Sequence, residues 1–304
     1  MGGASMITIL GATGNVGGKI AAILAKKNEP IRVISRSADR LRRLASKTVT
    51  AFVGDVRETE FLVKAFTDVD AVFVLIPPNP TAPEFMRYAD TIGQSIARAL
   101  KIAKVKHVVF LSSIGAELAD EATGPIKGLH NMEELLNRIK GLHVRHMRAG
   151  YFMENLLWNI ELIRSKGITG SAVRGDVKLA MIATKDIAEY AAERLTKLDF
   201  TGSSAHYLLG ERDLTLIEAS GIIGSKISKS GLPYIMFPYD EAEKAMVAMG
   251  LSPDMSRTYV EMARAFNEGR IRVEKRTKEN TTLTSIESFC EEVFVPAFTQ
   301  KKVA

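Results

Sequence analysis

The 304-residue sequence predicts an α/β protein built on a doubly wound parallel sheet, followed by a smaller α/β cap at the carboxyl end. Through the first half of the chain, short apolar runs alternate with amphipathic, helix-like stretches, which is the rhythm of β-α-β units. The first apolar run ends in three glycines spaced G-x-x-G-x-x-G, as in a tight turn between a strand and a helix. Together these observations indicate a Rossmann sheet with right-handed crossovers and helices on both faces.

The strands of the first half are recognised as short apolar runs. Ala71–Leu75 contains no polar residue, as expected of a parallel strand buried on both faces. In the first helix-like stretch Ile20, Ile23 and Leu24 share one face. The predicted strands are Met6–Leu10, Ile31–Ser35, Thr50–Val53, Ala71–Leu75, His107–Leu111 and His143–Arg148. The predicted helices are Asn15–Lys27, Ala38–Ser46, Glu58–Phe66, Pro83–Ala103, Asn131–Ile139 and Glu154–Ser165.

The rhythm becomes less regular after about residue 165. Strands are predicted at Ile168–Val173, Lys178–Ile182 and Ala205–Leu209, and helices at Asp186–Lys197, Leu216–Lys229 and Ser285–Phe294. Further elements are expected at Tyr234–Phe237, Glu241–Met249 and Asp254–Glu268. We therefore expect residues 6–165, with a return segment at about 178–200, to form a nucleotide-binding domain. Residues 166–304 would form the smaller cap, which supplies a substrate pocket, and residues 1–5 a short tail before a natural start at Met6.

Composition narrows the functional classes. One cysteine, Cys290, excludes an internal disulfide framework and indicates a reducing, cytoplasmic location. The five histidines are scattered without metal-ligand spacing, and no apolar run approaches the ~20 residues that span a bilayer. The net charge is +6, and part of it falls in 36–47. That basic stretch could bind a phosphate-bearing ligand or could form an ordinary solvated helix face. Binding to nucleic acid is not favoured, because the sequence has no helix-turn-helix or zinc-finger spacing.

The glycine turn is the strongest functional signal. Gly11 permits the tight turn, Gly14 lets backbone approach a phosphate, and Gly17 lets the helix pack close to the strand. The backbone N–H groups of Thr13–Val16, a range that includes Asn15 and Val16, would then point at a dinucleotide pyrophosphate. A tight turn without a ligand is the alternative.

The end of the second strand indicates which dinucleotide is bound. A protein that prefers NAD usually places Asp or Glu here to bind the ribose 2′-hydroxyl. This chain has Ser35 and Arg36 instead, and a guanidinium pairs well with a phosphate. We expect Arg36, with Ser35 and Arg40, to bind a 2′-phosphate, which favours NADP(H). A surface arginine on a loop is the alternative.

Residues after the next two strands are expected to hold the adenosine half. Asp55, followed by Val56, can accept from the adenine amino group or cap the next helix. Ile76 and Pro77 are expected to form an apolar wall, although such prolines also simply break helices.

Ser112 and Ser113 follow the fifth strand. At that position a hydroxyl can meet a substrate carbonyl or the nicotinamide ribose. Local side-chain hydrogen bonds at a polar strand end are the alternative.

These features together resemble the NmrA-like branch of atypical short-chain dehydrogenases/reductases. The resemblance covers about residues 6–200 well. It is carried by Gly11-x-x-Gly14-x-x-Gly17, Ser35-Arg36, Gly54-Asp55, Ser112–Gly115, Gly150–Asn155 and Thr184–Ala188. The chain departs from most reductases of the superfamily, because no Tyr precedes a Lys by four residues. The branch resembles either NADPH-dependent quinone or enone reductases or NADP(H)-sensing regulators without turnover.

The resemblance implies a catalytic role for His130, which occupies the lysine-like position. It would hydrogen-bond the nicotinamide ribose or a substrate oxygen and deliver a proton, with Ser113 nearby. Tyr151, Phe152 and Asn155 would line the substrate side, where an aromatic face suits a flat quinone. A half-exposed histidine at a helix start and ordinary core aromatics are the alternatives.

The sequence therefore predicts an NADPH-dependent oxidoreductase that reduces a small quinone- or carbonyl-like acceptor by hydride transfer. The alternative is a catalytically silent NADP(H)-sensing protein. A small-molecule substrate is expected and a membrane is not, while a second copy of the chain or a regulatory protein stays open as a partner. Trp158 is expected to serve packing.

Overall fold

A parallel sheet of seven strands forms the centre of the computed structural model. The structure describes residues 6–271 and 274–300, except the side chain of Asp120, so the predicted tail at 1–5 lies outside it. The strands are β1 (Ile7–Leu10), β2 (Ile31–Ser35), β3 (Val49–Val53), β4 (Ala71–Val74), β5 (His107–Ser113), β6 (His143–Ala149), β7 (Tyr151–Phe152), β8 (Thr169–Ser171), β9 (Leu179–Ile182), β10 (Ser203–Leu208), β11 (Asp213–Leu214) and β12 (Tyr234–Met236).

The order in the main sheet is β3-β2-β1-β4-β5-β6-β10, with every neighbouring pair parallel. The order reverses beside β1, which is the switch point where such sheets bind ligands. The remaining strands form two small sheets, β11-β9-β7 and β12-β8. The predicted doubly wound Rossmann sheet is therefore confirmed.

Helices cover both faces of the sheet. They are α1 (Gly17–Lys26), α2 (Ala38–Arg42), α3 (Thr59–Phe66), α4 (Phe85–Ile102), α5 (Pro125–Asn137), α6 (Ile160–Lys166), α7 (Thr184–Lys197), α8 (Leu216–Lys226), α9 (Tyr239–Ala248), α10 (Pro253–Asn267), α11 (Ile286–Phe289) and α12 (Val295–Thr299). Two 3₁₀ segments cover Ala116–Glu121 and Met153–Asn159, and a π turn covers Cys290–Phe294. In the part of the chain that is described, no helix combines the length and apolar character that crossing a membrane requires.

Three large apolar clusters stabilise this arrangement. One lies under α1 and α7 and contains Ile20 and Phe73, and the second lies under α3, α4 and α5 and contains Phe66 and Phe110. The third belongs to the carboxyl-terminal half and contains Phe289. Burial of these side chains is the main source of stability.

Two segments differ from the sequence prediction. The strand expected at Ala205–Leu209 in the cap is β10 of the main sheet, where it pairs along β6 from Ser203↔Val144 to Leu208↔Ala149. His206 accordingly lies on the main sheet, where its ring stacks on Tyr190 of α7 with centroids 4.5 Å apart. The pairing of two edges distant in sequence leaves no local signal.

Helix α5 begins at Pro125, six residues before the predicted Asn131. Gly124 has φ of +59°, and Pro125 at the first helical position has the fixed φ that a helix start requires. The early start places His130 inside the helix.

Candidate functional site

The glycine turn joins β1 to α1 at the carboxyl edge of the sheet. Gly11 has φ of +64°, and Gly14 N–H donates to the Gly11 carbonyl at 2.9 Å. A Cβ at Gly17 would lie 2.5 Å from Gly11 O, so only glycine lets α1 start this close to the strand. The roles predicted for Gly11 and Gly17 agree with this geometry.

The amides around Gly14 are available to a ligand. Among the described residues, the backbone N–H groups of Thr13, Asn15 and Val16 have no acceptor. Asn15 is exposed, whereas the Val16 side chain is buried in the core, so Val16 can contribute only its amide. Unpaired amides at a helix N-terminus suit an anion such as a pyrophosphate.

Behind the turn, buried hydrogen bonds and an ion pair connect α1 to α7. Buried Glu154 accepts two hydrogen bonds at 3.1 Å from the Thr184 amide, and also one from the Thr184 hydroxyl. The Lys19 ammonium donates to Thr184 Oγ1 at 2.9 Å and lies 3.8 Å from Glu154 Oε1. In the sequence Glu154 and Thr184 stand out only as parts of motifs, and no local pattern predicts that they contact each other.

The end of β2 presents a free guanidinium beside the turn. Arg36 is exposed and forms no hydrogen bond or ion pair with any described residue. The Ser35 hydroxyl instead bonds Thr13 Oγ1 at 3.0 Å and accepts from Ser37 N–H at 3.2 Å. Ser35 therefore links the two turns, and Arg36 is the group best placed for a phosphate. Arg40 lies exposed on α2.

The segment after β3 adds a second arginine, Arg57, which no sequence motif had indicated. Arg57 donates from Nε and Nη2 to Asp55, with the shortest bond 2.6 Å. These bonds from Arg57 lower the pKa of Asp55, and the nearby charge of Arg36 adds to the effect. Asp55 does not cap α3, because the cap residue is Glu58, so that alternative was wrong. Val56 is buried, so its side chain belongs to the core.

The loop after β4 carries the two residues that are expected to form an apolar wall. Ile76 and Pro77 are half-buried, and the Tyr88 hydroxyl of α4 donates to the Pro77 carbonyl at 2.9 Å. This bond fixes the β4–α4 loop against the helix.

The two serines that end β5 have different surroundings. Ser112 is buried and its hydroxyl donates to Glu133 Oε1 at 2.5 Å, so it does not face a ligand. The physical reason is the strand alternation, which turns Ser112 toward α5 and Ser113 to the opposite face. Ser113 remains half-buried, and its hydroxyl donates to the Ile114 carbonyl at 2.9 Å.

A buried ion pair organises this end of the sheet. Arg148 of β6 donates to Glu133 of α5 at 2.7 and 3.1 Å and to the Tyr207 hydroxyl of β10 at 3.0 Å. Burial by itself would raise the pKa of Glu133, but the bonds from Arg148 and Ser112 and the neighbouring positive charge lower it overall. The sequence spacing carries no signal for this network, because its members come from separate elements.

His130 is anchored to the loop that follows β5. Its Nδ1 lies 2.9 Å from the Ala116 carbonyl oxygen, which can only accept, so Nδ1 carries the proton. Nε2 is then the nitrogen that can accept a hydrogen bond or take up a proton. The same loop is held by Glu117, which accepts from Gly115 N–H at 3.0 Å and lies 3.7 Å from Arg148.

The aromatics after β6 do not share one face. Phe152 packs against the cluster under α1 and α7, whereas Tyr151 packs into the carboxyl-terminal cluster, where burial raises its pKa. Neighbouring strand residues point to opposite sides, so the two rings face different clusters, and their place on the substrate side stays a prediction. Asn155 is exposed. Trp158 is 60% exposed, so it does not serve core packing as predicted.

A family model described as the NmrA-like family matches residues 3–290. The chain belongs to the NmrA-like family. An NAD(P)H azoreductase from Xenophilus azovorans is 29% identical to it over 251 residues, which are 83% of this chain and 84% of the relative. An uncharacterized oxidoreductase from Bacillus subtilis is 27% identical over 271 residues, 86% of this chain and 85% of the relative.

Solved structures share the fold of this NmrA-like chain. An NADPH-dependent quinone oxidoreductase from Escherichia coli, complexed with NADPH, has a TM-score of 0.80 at 21% identity, over 95% of this chain and 100% of that one. A triphenylmethane reductase from Citrobacter sp., complexed with NADP(H), has a TM-score of 0.77 at 20% identity, over 94% and 99% of the two chains.

The NmrA-like chain shows no sign of metal or thiol chemistry in its described residues. Among them, no three His, Cys, Asp or Glu side chains gather as a metal ion requires. Cys290 is buried, and burial raises the pKa of its thiol to about 12, so the reactive thiolate does not form at neutral pH.

Proposed function

We propose that this NmrA-like protein is an NADPH-dependent oxidoreductase that reduces a small quinone- or carbonyl-like acceptor. The exposed, unpaired Arg36 beside the glycine turn is the observation that carries the proposal. It brings positive charge to the place where an NAD-specific protein has a carboxylate. The azoreductase relative and the quinone oxidoreductase fold support a reductase.

The residues present fit an anionic dinucleotide. The free amides of Thr13, Asn15 and Val16 would hold the pyrophosphate, and a Cβ at Gly14 would crowd Gly11 O at 3.3 Å. Arg36 would hold the 2′-phosphate. Ile76 and Pro77 would cover one side of the adenosine and ribose. When bound, NADPH supplies the hydride, while the protein supplies orientation and polarity.

His130 would donate a proton to the reduced acceptor. Because Ala116 fixes its tautomer, Nε2 can accept a hydrogen bond from a ribose or acceptor hydroxyl. In its protonated form the same nitrogen can donate to the reduced acceptor oxygen. Such a site suits quinones, whose reduced oxygens need less help from a strong acid than those of a simple ketone.

Two measurements test the proposal. Calorimetry with NADPH and NADH should show tighter binding of NADPH, and NADPH absorbance should fall when quinones, enones or azo compounds are added. Tight NADPH binding without turnover of any acceptor would overturn the reductase proposal and favour the NADP(H)-sensing alternative. Absence of binding would overturn both.

A further inference from the structure

Trp158 and Tyr259 form an aromatic pair that stands partly in solvent. Trp158 lies in the 3₁₀ segment after β7, and Tyr259 lies on α10, about a hundred residues later. Their ring centroids are 6.3 Å apart with an interplanar angle of 72°, an edge-to-face contact. Trp158 remains 60% exposed, so this contact leaves most of its indole uncovered.

One end of the pair packs on the same apolar cluster as Ile76, which is proposed to contact the cofactor. Tyr259 and Ile76 pack against the same buried cluster of Phe85, Ala89 and Met255. Ile76 lies two residues after the end of β4, at the carboxyl edge of the main sheet. Tyr259 is therefore held against the same buried cluster as a residue of the β4–α4 loop.

The other end comes from the same edge of the sheet. The 3₁₀ segment that carries Trp158 starts directly after Phe152, and Phe152 packs on the cluster that also holds Leu75 and Leu111. Asn155, which is exposed, lies one 3₁₀ turn before Trp158. The aromatic pair thus joins two segments that leave the ligand-binding edge.

We propose that Trp158 and Tyr259 form the acceptor-binding wall of this site and select flat aromatic acceptors over small non-aromatic ones. The inference rests on the proposed reductase function and extends it to a substrate class. The face of an indole attracts the electron-poor rings of quinones and azo dyes, and covering it removes apolar surface from water.

Tyr259 adds a polar group to this wall. Its hydroxyl forms no hydrogen bond with any described residue, and burial raises its pKa, so it stays protonated at neutral pH. It can therefore donate to a quinone oxygen or an azo nitrogen.

The first test compares two acceptors. For Trp158→Ala, we expect the ratio of kcat/KM for a two-ring naphthoquinone to that for cyclohexenone to fall about tenfold, the worth of one aromatic contact. Trp158→Phe should recover most of the ratio, and NADPH affinity should not change. Tyr259→Phe should lower the same ratio less than Tyr259→Ala. The control is Ile102→Ala, since Ile102 is also 60% exposed but ends α4 at the opposite edge of the sheet.

The second test reads binding directly, because Trp158 is the single tryptophan of the chain. Naphthoquinone added to the NADP⁺ complex should quench Trp158 fluorescence with saturation. An unchanged ratio in Trp158→Ala, an equal loss for both acceptors, or quenching that never saturates would overturn the inference. If the wild-type protein reduces no acceptor, the proposed function fails, and the quenching experiment alone then decides whether the pair binds aromatic rings.

Discussion

Replacing Arg36 with glutamate isolates the group that would choose between NADPH and NADH. Arg36 is exposed and forms no hydrogen bond or ion pair with any described residue, although its charge helps to lower the pKa of Asp55. A loss of affinity for NADPH but not for NADH then reports on the 2′-phosphate, because the two nucleotides share the rest of the site. Ser35 and Thr13 keep their hydrogen bond, so the glycine turn is expected to remain in place.

The magnitude follows from Coulomb's law. At about 5 Å in water, a guanidinium and a doubly charged phosphate attract by about 1.7 kcal/mol, and a carboxylate at the same place repels similarly. Salt screening reduces the difference to about 2–3 kcal/mol, or about 30- to 150-fold in Kd. Arg57 compensates little, because its guanidinium is bonded to Asp55. NADH, which lacks the 2′-phosphate, should change by less than about threefold.

Isothermal calorimetry with both nucleotides measures this difference. Arg43→Glu is the matched control, since Arg43 is an exposed basic residue at the end of α2 that has no predicted role in the 2′-phosphate site. We expect it to weaken NADPH much less than Arg36→Glu. Equal losses for NADPH and NADH, or equal effects of the two substitutions on NADPH, would refute the assignment of Arg36 to the 2′-phosphate.

Three further substitutions test the turn, the proton donor and a buried histidine. Gly17→Ala places a Cβ 2.5 Å from backbone and should cost about 1–3 kcal/mol of stability in urea unfolding as well as NADPH affinity, whereas Gly221→Ala, with open space in α8, should not destabilise. His130→Ala should lower kcat on the order of a hundredfold with NADPH affinity kept; unchanged turnover would reduce His130 to a loop anchor. Burial lowers the pKa of His146 from 6.5 to about 4. Between these two values the unfolded chain binds a proton at His146 and the folded protein does not. The free energy of unfolding should therefore fall by up to about 3 kcal/mol as the pH drops from about 6.5 to about 4. His146→Gln should flatten this part of the urea midpoint–pH profile, and an unchanged slope would contradict the assignment.

Local signals explain what the sequence predicted well. The strand β2 and the tight turn at Gly11 are determined by residues that are adjacent in the sequence. The bounds of β2 and the positive φ of Gly11 could therefore be inferred from the pattern alone. The hypothesis that Arg36 binds a phosphate also rests on one position after one strand, and it stays a prediction. Such features need no knowledge of distant contacts.

Distant contacts explain what the sequence missed. The sequence does not show that the Ser112 hydroxyl donates to Glu133 of α5. The exposure of Trp158 likewise depends on where α10 places Tyr259. Arg57 was overlooked although it lies two residues after Asp55, because nothing local shows that its charge stands near Arg36. The pairing of side chains from separate elements is a property of packing and leaves no periodic trace.

The position of β10 has a consequence for how this protein can be divided. A fragment ending near residue 165, where the rhythm changes, would leave the long β6 strand unpaired at one side and strip Arg148 of the Tyr207 hydroxyl. Exposed ladders of this kind invite aggregation. A division of the chain that keeps the main sheet whole must therefore include β10 together with the first half.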